Sequence, residues 1–378
     1  MNVLYLTNIP SPYRVDFFNE LAGSCKLTVW FEASNEANRQ WEVKLDGAGF
    51  AYKFLPGITL GLDKHVNWTV LKELRQSTFD LYVLGCYSSP TEMAVIRWLK
   101  ARKRPFLLNT DGGFPGRENR LKRWLKRSLI SSAAGWLSSG TNGTAYLLHY
   151  GAKSGRIWEY PFSSSAFTEE QLRPFTREEK ERFKRSHGLK ERVLLSVGQF
   201  IERKGFEELL AAYGSLDNGG TSLVLIGGGP LKERYERMIR DKRLRNVHLL
   251  EFMGADSLTA FYRSADVFVL PTRYDVWGLV LNEALAFGLP IVTTRGAGAA
   301  YSLVEHGVNG FVTAVGDMAG LARNCRTLLR DESLRQRFRL AALKKAEDYT
   351  VARMAERHRE VFGYMLEQSQ NYGPKVMS

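Results

Sequence analysis

Cysteine is scarce in this chain. Cys25, Cys86 and Cys325 are odd in number and widely scattered, which excludes a disulfide framework and any zinc site built on closely spaced thiolates. Reduced thiols in a cytoplasmic protein are expected. Long apolar runs are missing too: none reaches the roughly 18–20 residues that a membrane span needs. The opening Met1-Asn2-Val3-Leu4-Tyr5-Leu6-Thr7-Asn8-Ile9-Pro10 has no basic lead and a very short apolar run. It reads as a first strand and not as a signal peptide. Acidic residues are outnumbered, 40 Asp and Glu against 53 Lys and Arg, for a net charge of +13. That balance calls for an anionic partner, and nucleic acid, an anionic membrane surface or a phosphorylated substrate would each satisfy it. No helix-turn-helix, zinc or RNA-recognition motif is present, so a nucleic-acid partner is not expected. No acid cluster has metal-like spacing beside a phosphate loop, so no metal is expected. Internal repeats and low-complexity tracts are absent.

What is present is an alternation of short apolar runs and helical patterns over 378 residues, enough for two domains with separate cores. Val3 to Leu6 reads as the first strand, a helix follows through Phe17, Phe18 and Leu21, and residues 26–31 form the second strand. Residues 81–86 and 106–109 are further strands around a helix at 93–99, and 135–140 and 157–160 add two more. Pro161-Phe162-Ser163-Ser164-Ser165 reads as a hinge. The charged run 169–192 reads as a solvated helix leading into a second domain, which opens with the near-continuous β run 193–198. From 328 to 368 the pattern is helical and charged, broken at Tyr349-Thr350.

The most informative stretch is 271–290. Val267-Phe268-Val269-Leu270 is a short apolar run ending at Pro271, the mark of a buried strand in a parallel sheet. Residues 279–287 are mostly good helix formers, stopped by Gly288 and Pro290, and Ile291-Val292-Thr293-Thr294 is the next strand. The loop between them sits at a strand's carboxyl end, where open α/β sheets bind ligands. Asp275 lies in it, and Gly278 and Leu279 present free amides at a helix start, which attract phosphate. Glu283 follows Asp275 by eight residues, among the apolar Leu281, Ala284, Leu285 and Phe287. Asp275 can equally be an acid complementing a helix dipole.

This stretch resembles the acid-x7-acid motif of the retaining, nucleotide-sugar-dependent glycosyltransferases of family 4, with Asp275 where Glu is usual. Further motifs fit the same family. Lys204-Gly205 matches a common Lys-Gly after the first strand of the second domain, with Gln199 in place of the usual Arg and Arg203 as a neighbouring cation. Gly227-Gly228-Gly229-Pro230 resembles the family's Gly-x-Gly-Pro. The loop with Met253 falls where the family sets the nucleobase against backbone groups.

The resemblance implies the α/β GT-B fold, two Rossmann-like domains facing an inter-domain cleft. Its domains would be an acceptor-binding one over 1–162, a nucleotide-sugar-binding one over 163–348, and a helix in 349–378 returning to the first. It implies a retaining hexosyltransferase-type enzyme using a UDP- or GDP-sugar as co-substrate, with no bound cofactor and no metal. Lys204 and the amides of Gly278 and Leu279 would hold the diphosphate, Asp275 the sugar and Glu283 the ribose, with Gln199, Arg203, Gly228 and Met253 also in the donor site. Asp111, at the end of strand 106–109 and before Gly112-Gly113, would meet the acceptor or the transferred sugar, or form an Asx-turn. The alternatives are a nucleotide-sugar 2-epimerase, which needs acid/base groups near the sugar, and a basic nucleic-acid-binding protein.

Two basic features remain. Arg14 follows the Pro-rich first loop and is expected to face solvent. Residues 117–130 form a basic amphipathic helix in which Arg120, Arg123, Lys126 and Arg127 surround Trp124. It is either an ordinary surface helix or a patch that docks on an anionic bilayer. The second reading places the enzyme in the cytoplasm, peripheral on the inner face of the membrane, with a lipid-linked or envelope saccharide as acceptor.

Overall fold

Runs rich in Val, Leu and Ile form parallel strands buried on both faces. The computed structural model describes residues 1–36, 45–61, 63–116, 118–164, 166–216 and 219–371. Arg117 and Ser165, which the sequence reading placed in a helix and in the hinge, lie outside the described residues. The chain divides into two compact units, one of Met1–Ala166 joined by the stretch from Thr350 onward, the other of Phe167–Tyr349.

In the first unit, a seven-stranded parallel sheet among the described residues runs Ala51–Phe54, Lys26–Phe31, Asn2–Thr7, Leu81–Leu84, Phe106–Thr110, Gly135–Ser138, Ile157–Glu159. The chain starts near the middle, winds to one side, then crosses to the other. The switch point, where ligands of doubly wound sheets bind, therefore lies between the carboxyl ends of Asn2–Thr7 and Leu81–Leu84. Three elements have no counterpart in the sequence reading: strand Ala51–Phe54, the antiparallel hairpin Ile58–Leu60/Lys64–Val66, and helix Val70–Gln76. The two strand elements expose most of their side chains, so period-2 burial does not mark them. Asn67 ties the hairpin down, donating to the carbonyls of Glu32 at 2.9 Å and Leu55 at 2.8 Å.

Helix Pro12–Ala22 starts on a proline at its first position, where no amide is needed. It buries Phe17, Phe18 and Leu21. The C-terminal helix Val351–Asn371 packs against it and buries Met354, Val361, Phe362 and Met365. Each such side chain contributes about 1.5–3 kcal/mol, which offsets the cost of ordering a helix rich in exposed charge.

The second unit carries a six-stranded parallel sheet among the described residues, ordered Val247–Leu250, Thr221–Ile226, Arg192–Val197, Val267–Leu270, Ile291–Thr294, Gly310–Thr313. This is the Rossmann order, with its switch point between Arg192–Val197 and Val267–Leu270. Helix Val280–Ala286 ends as its sequence predicts. Gly288 takes φ +66°, its amide donates to Leu285 O at 2.8 Å, and the Leu289 amide donates to Ala284 O at 2.9 Å, a Schellman stop.

The charged run 169–192 is not one solvated helix. It forms Glu169–Leu172 and Arg177–Ser186, each opened by a capping box from Thr168 and Thr176, and then enters the first strand. Lys180 and Lys184 turn inward because a buried acid waits for them. Asp266 accepts from Lys180 Nζ at 2.8 Å, Lys184 Nζ at 2.9 Å and the Val193 amide at 2.8 Å. Burial raises the Asp266 pKa, but the two lysines outweigh this and hold it below its ordinary 3.8, while burial pushes Lys184 down. Asp266→Asn leaves Lys184 buried without a counter-charge and is expected to cost about 3–5 kcal/mol in urea unfolding. A depressed carboxyl stabilises above its unfolded pKa and loses that contribution as pH falls through the folded one. The gap between wild type and variant should therefore narrow below about pH 4.

Candidate functional site

The switch point of the second sheet brings together residues that stand far apart in sequence. After strand Arg192–Val197 the chain enters a loop and a single 3-10 turn, Glu202–Lys204, ended by Gly205 at φ +70°. A side chain at Gly205 would place its Cβ 2.2 Å from Pro271 O, so only glycine lets the two loops approach. The Arg203 carbonyl then accepts from the Arg273 amide at 2.8 Å and from Thr272 Oγ1 at 2.8 Å. Arg273 Nε pairs with Glu208 Oε1 at 2.5 Å and ties its loop to helix Phe206–Gly214.

These contacts deliver Lys204 to Asp275. Lys204 is 9% exposed, and its ammonium forms an ion pair and hydrogen bond with Asp275 Oδ2. Arg203 Nη1 stands 3.7 Å from Asp275 Oδ1. From the other side, the Asp275 amide donates to Gly296 O at 2.8 Å, and the Gly298 amide donates to Asp275 O at 3.0 Å. Gly296 and Gly298 lie so close to this loop that a Cβ on either would stand 2.5 Å or 2.0 Å from a backbone oxygen. The turn 295–298 is thus structural.

Gly278 has φ +102°, and among the described residues neither its amide nor that of Leu279 has a hydrogen-bond acceptor. Gly278 packs against the Asp275 carboxylate that holds Lys204, so two unused donors stand close to a cation, the arrangement that binds an anionic oxygen. Glu283 lies one turn further on, half-buried, accepting from the Tyr262 hydroxyl at 2.6 Å. Burial pushes its carboxyl up to about 7, against the smaller downward pull of that hydrogen bond. The Tyr262 ring is stacked between Phe287 at 5.2 Å and Phe268 at 5.7 Å.

Gly228 is knit to the Gln199 loop, its carbonyl accepting from the Phe200 amide at 2.7 Å. Gln199 is half-buried, as is Met253 in the loop after Val247–Leu250. The fold thus joins Lys204, Arg203 and Asp275 directly and sets Gly278, Leu279 and Glu283 on the adjoining helix start. Among the described residues no hydrogen bond or ion pair joins Met253 to that group.

In the first unit, Asp111 stands at the carboxyl end of Phe106–Thr110 and accepts from Arg14 Nη2 at 2.5 Å. Arg14 does not face solvent. It is 3% exposed and also donates to the Tyr5 hydroxyl at 3.1 Å, because Asp111 and three surrounding tyrosines give a buried guanidinium the acceptors and counter-charge it needs. The Tyr160 hydroxyl lies 3.4 Å from Asp111 Oδ1. Tyr160 and Tyr262 were not legible as site residues, since each reads as one more core aromatic.

The basic helix is Arg120–Ile130, capped by Asn119, which accepts from the Lys122 amide at 2.8 Å. Leu129 and Ile130 are buried, while Leu121 and Trp124 are 72% and 64% exposed. Arg120, Arg123 and Arg127 are exposed. Lys126 turns inward: it pairs with Glu118 and lies over the Tyr146 and Tyr150 rings at 5.5 and 5.0 Å.

Tyr262→Phe keeps the stacked ring and removes the one hydroxyl that holds down the Glu283 pKa. The expected outcome is a Glu283 carboxyl titrating above 7, read by carbon NMR. In wild type the raised value makes folding less favourable as pH climbs from 4.5 to about 7. An unchanged titration in the variant would remove Tyr262 from this account.

The chain is similar in sequence and in fold to known glycosyltransferases. Lipopolysaccharide core biosynthesis glycosyltransferase LpsE of Rhizobium meliloti is 34% identical over 146 residues, 38% of this chain and 42% of that protein. The sulfoquinovosyl transferase of Arabidopsis thaliana is 31% identical over 197 residues, 51% of this chain and 37% of that protein. The chain therefore spans about two-fifths of the length of these curated relatives. Among solved structures, Anabaena HepE in complex with UDP superposes with a TM-score of 0.79 at 17% identity, covering 96% of this chain and all of that one. WaaG, a glycosyltransferase involved in lipopolysaccharide biosynthesis, superposes with a TM-score of 0.68 at 17% identity, covering 95% and 99%. The fold is thus the GT-B arrangement of two Rossmann-like domains, and residues 177–345, which carry Lys204, Asp275 and Glu283, match the family described as glycosyl transferases group 1.

Proposed function

We propose that this chain is a retaining glycosyltransferase that moves a sugar from a nucleotide diphosphate sugar to a saccharide acceptor, lipid-linked or part of an envelope polysaccharide. The observation that carries the reading is the Lys204–Asp275 pair beside the two unused amides of Gly278 and Leu279 at the switch point. A diphosphate accepting from Lys204 and those amides has its developing charge stabilised as it leaves, which is electrostatic catalysis by groups already in place. Asp275 is then available to sugar hydroxyls, and Glu283 to the ribose. Gln199, Arg203, Gly228 and Met253 complete the donor site, and Asp111 meets the acceptor or the transferred sugar. Lys204 and Arg203 supply the positive charge, so no metal is required. The donor is a UDP- or GDP-sugar. HepE structures with UDP, with UDP and glucose, and with UDP-glucose support the donor class.

The reading is tested by incubating the protein with UDP-glucose, UDP-galactose, UDP-N-acetylglucosamine and GDP-mannose, with and without membrane lipid extract as acceptor source. Product anomers are then assigned by proton NMR. Transfer with retention is expected, and inversion would overturn the mechanism. Lys204→Ala is expected to fold, since Arg203 still faces Asp275, and to lose roughly 2.7–4 kcal/mol of transition-state stabilisation. Near-normal turnover in a folded variant would remove Lys204 from the diphosphate site.

We further place the enzyme on the cytoplasmic face of an anionic membrane, docked through Arg120, Arg123 and Arg127 with Trp124 and Leu121 entering the bilayer boundary. Each cation near such a surface contributes about 1 kcal/mol, giving reversible attachment. Co-sedimentation with phosphatidylglycerol vesicles should weaken with salt and with Arg120→Glu/Arg123→Glu/Arg127→Glu. Binding indifferent to both would remove the membrane claim and leave the transfer reaction standing.

A further inference from the structure

Behind Asp111 a chain of polar side chains runs to the C-terminal helix. His358 is fully buried on Val351–Asn371, with the Phe17 and Tyr160 rings each at 4.6 Å. Its Nδ1 stands 2.7 Å from Met354 O, and its Nε2 stands 2.8 Å from the atom placed as Asn109 Oδ1. The atom placed as Asn109 Nδ2 lies 3.1 Å from the Tyr160 hydroxyl. Tyr160 reaches Thr110 O at 3.2 Å and Asp111 Oδ1 at 3.4 Å. Asn109 is fully buried and Tyr160 nearly so.

Counting hydrogens fixes the direction of this chain. A backbone carbonyl can accept and cannot donate, so the hydrogen between His358 and Met354 sits on Nδ1. Burial, reinforced by the charges of Arg14 and Arg357, drives the His358 pKa down to about 3 against the opposing pull of the Met354 bond. The ring is therefore neutral, and Nε2 carries a lone pair that needs a donor. Asn109 must present its NH2 group there, an orientation reached by rotating the amide half a turn. Its carbonyl then faces Tyr160 and accepts the single hydroxyl hydrogen. Among the described residues that leaves Asp111 held by Arg14 alone, with its remaining acceptor capacity unspent.

We propose that His358 is a positioning residue for Asp111: as an acceptor it orients Asn109, which takes the Tyr160 hydrogen and keeps the Asp111 carboxylate free to receive a substrate hydroxyl. The proposal rests on the reading of Asp111 as an acceptor-side residue. It makes the C-terminal helix part of the site's hydrogen-bond order as well as a packing element.

Nitrogen NMR of the labelled full-length protein tests the first link without substrate. His358 should show the neutral Nδ1–H tautomer at every point between about pH 5 and 8. An Nε2–H tautomer, or titration in that range, would overturn the proposal. The functional link is tested by His358→Phe and by His358→Gln, whose side-chain oxygen can replace Nε2 as acceptor. Turnover is measured with whichever of the four nucleotide sugars above transfers to the lipid extract. His358→Phe should lower kcat by on the order of 10²-fold, the scale of a misplaced contact, at unchanged donor KM, and His358→Gln should restore most of it. In an Asp111→Asn background His358→Phe should add little, because the two act as one unit. Additive losses, or equal losses in both His358 variants, would show a structural role only. If His358→Phe does not fold, Asn109→Leu removes the carbonyl that takes the Tyr160 hydrogen, and full kcat in that variant would likewise overturn the proposal. Full activity of Asp111→Asn would sink the reading of Asp111 itself, whereas the tautomer measurement bears on His358 alone.

Discussion

Lys204 and Asp275 lie 71 residues apart in sequence and form one ion pair, and the second unit is arranged to make that contact. Two strands must lie side by side at the switch point so that their following loops adjoin. Gly205 must be a glycine so that the first loop can touch Pro271 O. The Arg203 carbonyl then captures the second loop through Thr272 and Arg273, and the turn at 295–298 holds Asp275 from the far side. An ion pair this shielded from water is favourable only when its geometry is held from outside, and backbone hydrogen bonds do the holding here.

The carboxylates of the molecule divide by environment. Asp266, with two lysines and an amide, is held as an anion. Glu283, whose burial is opposed among the described residues only by the Tyr262 hydroxyl, rises to about 7. The first is a structural pin at the base of a strand. The second keeps its charge open to whatever arrives, since a ligand donating to it would favour the ionised form. The same contrast separates Arg14 from the surface arginines of Arg120–Ile130. One is committed to Asp111 in the interior, and the others remain free to meet an external anion.

The sequence by itself determined the strands with continuous apolar runs, the Schellman stop at Gly288, and the loop carrying Asp275, Gly278 and Leu279. These are local properties: burial on both faces, a helix-ending glycine and a strand's carboxyl end are all written within a few neighbouring residues. Exposed elements such as Ala51–Phe54 and the hairpin after it left no such mark, because their side chains do not alternate between core and water.

Tertiary structure alone decided what each polar side chain faces. Nothing near Arg14 in sequence announces Asp111, 97 residues away, and an arginine after a loop reads as solvated until its partner is in place. Lys180 and Lys184 looked like a solvated face for the same reason, and Lys126 looked like its outward neighbours until Glu118 and the Tyr146 and Tyr150 rings were set beside it. Tyr160, Tyr262 and His358 are core residues. Their hydroxyls and ring nitrogens gain a role only where folding brings a carboxylate or an amide within hydrogen-bond reach. Backbone preference is a short-range property that a window of sequence can hold, whereas the partner of a buried charge is chosen by chain crossings that no window contains.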